Sequence, residues 1–227
     1  MKKLSLEKSL VNSPPLPRRV VRGNGTGYDS AIPDVATKGI LMSQSIPDAL
    51  QEGFSSTEEA LEFYDALEPV AIEAMVGTWR GAELPSDHPM DGLLTAAGWY
   101  GKRFLDAENA LPLLFYTAGR TEAFAVDPGK IPSPLLHLDA LPLRPQPGLH
   151  WMVLAARPVM QTHHPKARLR MLEYRGQVSA AMIYDDLPII DVFRRVDDHT
   201  LVGLMDMRGM ARPYFFVLRR DDRTPVV

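Results

Sequence analysis

The chain has 227 residues, a formal net charge of −3 and a pI of about 6.1, with 45% hydrophobic and 23% charged residues. That average balance supplies a core but no clustered positive charge of the kind nucleic-acid binding requires, so no nucleic-acid partner is expected. Cysteine is absent, which excludes disulfides, thiol catalysis and cysteine-held zinc or iron–sulfur clusters. The start, Met1 to Lys8, is basic but lacks the apolar run of a signal peptide. No stretch approaches the ~20 apolar residues of a membrane span. A cytoplasmic location is the expectation, and the oligomeric state stays open.

Residues 1–46 read as an extended leader. Gly23, Gly25 and Gly27 alternate there, yet a phosphate-cradling loop needs a helix behind it, and Pro33 and Gly39 interrupt any such helix. A flexible arm is the better reading. Residues 47–76 read as a helical cap. Ser56 caps a helix and Glu59 completes a capping box; Ala60, Leu61, Phe63, Tyr64 and Leu67 then form one apolar face. A second short helix, Val70 to Met75, places Pro69 in its first turn.

From Gly77 the periods shorten, and residues 77–222 read as a β-barrel domain. Gly77 to Glu83 is the first strand, Ser86 to Gly92 a loop and Leu93 to Ala97 a helical turn. Trp99 to Phe104, Leu113 to Ala118 and Glu122 to Val126 follow as strands, completing an opening part at 77–126. Asp127 to Gly148 is a proline-rich loop, and loops of that length are often functional. The C-terminal sheet covers 151–220. It comprises a short apolar strand from Trp151 to Ala156, then Lys166 to Tyr174, Val178 to Tyr184, Ile189 to Val196, Thr200 to Met207 and Arg212 to Arg220. Alternation with turns every ~8–12 residues predicts a mainly β fold: an antiparallel lipocalin- or fatty-acid-binding-like barrel of about nine or ten strands behind a short helical cap.

The motif Gly77-Thr78-Trp79-Arg80-Gly81 opens that barrel. Trp79 can bury its ring at the barrel end while its N–H finds a carbonyl, and Arg80 points to the opposite face. With the run Asp87-His88-Pro89-Met90-Asp91-Gly92-Leu93-Leu94, this segment resembles the bacterial GXWXG family. The runs Tyr184-Asp185-Asp186-Leu187-Pro188-Ile189-Ile190-Asp191 and Leu204-Met205-Asp206-Met207-Arg208-Gly209 resemble its usual companion, domain of unknown function 4334. The resemblance spans roughly residues 50 to 220 and brings no established activity with it. The start is also loosely similar to the calycins and to nitrobindin-like haem barrels. By that likeness Trp79 would lie against Arg219 or Arg220 as a cation–π pair; otherwise those arginines are solvated strand ends.

The candidate ligand contacts are His88, Trp99, Tyr100, Tyr184 and Asp191. His88, near a barrel mouth, offers a ring that titrates near neutrality and is also the candidate acid/base residue, with Asp87, Asp91 or Tyr100 as partners. Its alternative is a turn histidine bonded to backbone. Asp191 shares a strand face with Phe193 and Arg195: inside, it is a polar anchor; outside, half of a solvated pair with Arg195, and the outside reading is preferred. Adjacent His163 and His164 point apart on a strand and lack a nearby carboxylate, so no metal is expected. No cofactor is expected either, haem on His137 or His150 being the alternative. Met152, Met160, Met171, Met182, Met205, Met207 and Met210 suit either core filling or a permissive pocket. The leading expectation is a barrel holding a small, mostly apolar or amphipathic ligand. The others are an enzyme working at His88 and an interaction module using the N-terminal arm.

Overall fold

The computed structural model describes residues 46–131 and 147–227, which belong to the second of two units of the chain, Val35–Val227. The leader with Gly23, Gly25 and Gly27, and most of the proline-rich loop with His137, lie outside those residues.

Helices come first: α1 (Ile46–Glu52) and α2 (Thr57–Asp65). Ser56 is extended at φ −152° and its side chain accepts the Glu59 N–H at 3.2 Å, as expected of an N-cap. Glu59 reaches one residue further back and takes the Ser55 N–H at 3.0 Å instead of completing a standard box. Pro69 does not start a helix. It lies in β1 (Glu68–Pro69), opposite Arg194, and α3 is confined to Ile72–Met75. Tertiary bonds win here: Val70 donates to Ser179 Oγ at 2.9 Å and accepts from the Ala180 N–H at 2.9 Å, which holds this segment extended.

Eight strands form the body: β2 (Gly77–Glu83), β3 (Trp99–Phe104), β4 (Ala110–Tyr116), β6 (Ala167–Tyr174), β7 (Gln177–Tyr184), β8 (Ile189–Asp197), β9 (Thr200–Met207) and β10 (Tyr214–Arg220). Their order is β8-β7-β6-β4-β3-β2-β10-β9, and β9 pairs back onto β8, so the hydrogen bonding runs around a closed antiparallel ring. β1 extends β8, and β5 (Ala123–Ala125) extends β4, giving ten strands. The expected mainly β, antiparallel class with short helices ahead of it stands. The narrowest seam is β4–β6, a single pair of Ala110 and Ala167 supported by Lys166 N–H to the Ala110 carbonyl at 2.9 Å.

One expected strand is a helix. Trp151 to Ala156 lies inside α5 (Leu149–Met160), which follows α4 (Leu93–Ala97) in the chain. A six-residue apolar run does not distinguish the two periods. The longer window does, since Leu149, Val153, Ala156 and Met160 fall on one helical face and all point at the same cavity.

Strands β9 and β10 are buried on both sides. Tyr214, Phe216 and Leu218 face the ring's interior. Phe215 and Val217, with Val202 and Leu204, lie under Ala60, Phe63 and Tyr64 of α2. That double burial accounts for the unbroken apolar run of β10. Arg194, on the outer face of β8, is completely buried beneath the Tyr64 ring, 5.0 Å away, and donates to the Tyr174 carbonyl at 3.1 Å.

Candidate functional site

The interior of the ring is divided into two halves. At the end where β2 begins, Trp79, Phe104, Phe193, Leu201 and Leu218 fill the space. Trp79 is 1% exposed and donates its indole N–H to the Met75 carbonyl at 2.7 Å. Arg220 lies over that ring at 4.3 Å and donates to the carbonyls of Val76 and Ala74, each at 2.8 Å. The packed Trp79–Arg220 pair is therefore present. Gly77 leaves the space that the Arg220 guanidinium occupies, and Arg80 is exposed on the other face.

The other half is hollow. A cavity of about 500 Å³ is walled by aromatic and aliphatic side chains, among them Trp99, Phe115, Phe216, Met205 and Met207. Helices α4 and α5 cover its mouth with Leu93, Leu94, Leu149 and Val153. The lid is fastened at both ends: His150 Nδ1 lies 3.2 Å from the Ala97 carbonyl, and the Asp127 N–H donates to the Met160 carbonyl at 2.8 Å. Its outer side is bare, with Trp151 66% and Val159 71% exposed.

Three polar side chains meet at the inner end of this cavity. Lys102 Nζ lies 2.8 Å from Asp191 Oδ2 and donates to the Tyr184 hydroxyl at 3.3 Å and the Pro112 carbonyl at 3.1 Å. Tyr184 donates to Asp191 Oδ2 at 3.4 Å. The ammonium also lies 4.9 Å from the centre of the Phe216 ring and 5.7 Å from those of Trp99 and Tyr184. Lys102 is thus boxed by a carboxylate, two oxygens and three ring faces. Burial pushes the Asp191 carboxyl up from the ordinary range, with Lys102 opposing; burial, and then Asp191, holds the Tyr184 phenol well above its own. Two buried polar atoms of the cavity wall lack a partner, the Trp99 indole Nε1 and Asp191 Oδ1.

Local irregularity builds this arrangement. On a regular strand Lys102 would share the outward face of Tyr100. Instead the β3–β4 pairing shifts between Trp99 and Gly101 and again between Gly101 and Arg103. Gly101 takes φ +147° at the shift, a backbone that a side chain would rarely adopt, and a Cβ there would strike the Trp79 carbonyl. Trp99 and Lys102 then both face inward. Facing this point, Pro112 interrupts the alternation of β4 and turns its carbonyl to Lys102. Gly81 completes the device, because a Cβ there would overlap the six-membered ring of Trp99. The second glycine of the motif therefore shapes the cavity wall.

Of the five candidate contacts, Trp99, Tyr184 and Asp191 line the cavity. Asp191 is 0% exposed on the inner face, so the outward reading is overturned; Arg195, at the far strand end, is exposed and pairs with Asp198 at 3.5 Å. Tyr100 points the other way, packed against Tyr116 with its hydroxyl donating to the Asp221 carbonyl at 3.3 Å. His88 lies behind the wall. Its Nδ1 accepts the Met90 N–H at 3.1 Å, and its Nε2 is 3.2 Å from the Arg212 carbonyl. With Nδ1 accepting, the ring hydrogen belongs on Nε2. The ring stands edge-on to Tyr214 at 5.4 Å, and it is Tyr214 and Met90 that reach the cavity. Asp91 accepts the Ser86 and His88 backbone N–H groups at 3.0 and 2.9 Å, and Asp87 lies 3.4 Å from Arg212, so these carboxylates organise the turn. His163 and His164 are exposed. Among the described residues no three metal-capable side chains converge, and His150 is not part of the cavity wall. Met152, Met160, Met205 and Met207 line it, whereas Met171 is 46% exposed. The sequence reading missed Lys102 altogether. The available signal was Gly101, a glycine in the interior of a strand, which often marks a bulge.

The fold and site define a closed antiparallel β-ring with a lidded, apolar inner cavity ending on a neutral polar cluster. Residues 62–119 match the family described as GXWXG protein, and residues 165–220 match Domain of unknown function (DUF4334). A crystal structure of a protein from Thermomonospora curvata is 32% identical, with a TM-score of 0.55 over 75% of this chain and 91% of that one. No curated protein matches. The chain belongs to the GXWXG family, with its DUF4334 companion domain. No helix among the described residues is long and apolar enough to cross a membrane.

Proposed function

We propose that the protein binds one small, mostly apolar molecule with a single polar end inside the ring. The observation that carries this reading is the cavity of about 500 Å³, which ends on the Lys102–Asp191–Tyr184 cluster. Ligand sites of this volume are typically apolar, with a few placed polar groups that fix orientation. α5 supports it too, since a helix with its outer face bare and its inner face over the mouth suits a lid.

Of the three tryptophans, Trp99 alone lines the cavity, so an occupant should quench its emission. Naphthalene and N-phenyl-1-naphthylamine are titrated against the protein and against Ala156→Trp, which fills the cavity from α5. Saturable quenching at micromolar concentrations, lost in Ala156→Trp, is expected. No saturable binding, or equal binding by the filled variant, would overturn the reading.

A further inference from the structure

The polar end of the cavity also constrains the charge of what it holds. Lys102 and Asp191 are paired at 2.8 Å, and their side chains are 3% and 1% exposed. Wherever the proton of that pair resides, the two groups sum to zero charge. An incoming carboxylate would meet Asp191 as soon as it met Lys102. It would also have to replace contacts the ammonium already makes with the Pro112 carbonyl and the Tyr184 hydroxyl. An incoming ammonium would compete with Lys102 for the same ring faces and carboxylate. A charged head buried in this apolar shell would therefore lack a free counter-charge to offset its desolvation.

Trp99 Nε1 and Asp191 Oδ1 lack a partner, but both are buried with no accessible surface, so neither is open to an occupant of the cavity. The two charged groups at this end are likewise committed to each other.

Resting on the binding function proposed above, we infer that the ligand is uncharged, and that apolar carboxylates and ammonium ions are discriminated against. The site selects against charge because its own cation is already neutralised within it.

The test compares four probes of one shape by calorimetric titration at pH 7.5: 2-naphthol, naphthalene, 2-naphthoate and 2-naphthylmethylammonium. Naphthalene and 2-naphthol, both uncharged at this pH, should bind, and both ions should bind about tenfold or more weakly than naphthalene. If naphthalene binds and either 2-naphthoate or 2-naphthylmethylammonium binds as tightly, this inference falls while the binding function stands. If neither naphthalene nor 2-naphthol binds, both fall.

Discussion

The two halves of the ring are built from the same strands yet do opposite things with their interior. In the half at the start of β2, inward residues are large and meet edge to face: Phe104 lies 5.7 Å from Phe193 at 82°, and Trp79 is pinned between the Met75 carbonyl and Arg220. In the half toward α4 and α5, the large rings lie back against the wall. Trp99 rests over Gly81 and stands 5.7 Å from Phe216, leaving the middle open. A ring of this size can be plugged or hollow according to where glycine lets an aromatic lie flat. The GXWXG motif serves both halves, with Trp79 plugging one and Gly81 clearing the other.

The largest effect is expected where the halves meet. Asp191→Ala leaves the Lys102 ammonium buried without its carboxylate, and should cost about 3–5 kcal/mol in denaturant unfolding. The double variant Lys102→Met with Asp191→Leu removes both charges. It should recover most of that loss while abolishing any preference of the cavity for a polar head. Failure of the double variant to recover would mean the cluster holds the fold by more than charge pairing.

Gly81→Ala attacks the boundary from the other side. Its methyl displaces the Trp99 ring into the cavity, costing about 1–3 kcal/mol and weakening ligand binding in the same variant. Arg220→Met attacks only the plugged half. It removes the cation over Trp79 and two hydrogen bonds to carbonyls, and should cost about 1–2 kcal/mol with ligand affinity unchanged. Equal effects of Gly81→Ala and Arg220→Met on binding would erase the distinction between the halves.

The smallest effect is in alkali. Burial lifts Tyr100 to about 12 and Tyr214 well above its ordinary range. The folded state thus keeps phenol protons that the unfolded chain releases near its ordinary pKa of about 10. Stability should be level up to that pH and fall as pH rises beyond it, since the unfolded state then binds fewer protons. Thermal melts between neutral pH and pH 11 check the sign; a rise in stability above pH 10 would contradict it.

Much of this architecture was legible in the sequence, and the gaps have physical reasons. Strand β6 alternates charged and apolar residues, and short turns separate strands β6 to β9, so the positions of β6 to β10 were readable. The loose likeness to calycins offered the Trp79 contact with Arg219 or Arg220 as one of two readings, solvated strand ends being the other; the structure has the contact, with Arg220. Lys102 was hidden because the shift at Gly101 reverses the face of every residue after it. Asp191 was read outward because its neighbour two positions on, Phe193, and the next, Arg195, give opposite signals; Phe193 is buried in the ring, whereas Arg195, near the end of the strand, is exposed. α5 was hidden because its apolar run is short and its exposed Trp151 and Met152 blur the helical face. Tyr100, placed next to Trp99, lies on the opposite face.

The central claim is that the hollow half takes up a ligand whose polar end meets Lys102, Asp191 and Tyr184. A crystal structure grown with 2-naphthol tests it most directly. The account predicts one molecule inside the ring, its rings between Trp99, Phe115 and Met207 and its oxygen at the Asp191 end. A ligand bound only outside, against Trp151 on the bare face of α5, or an interior closed by inward collapse of that helix, would contradict it.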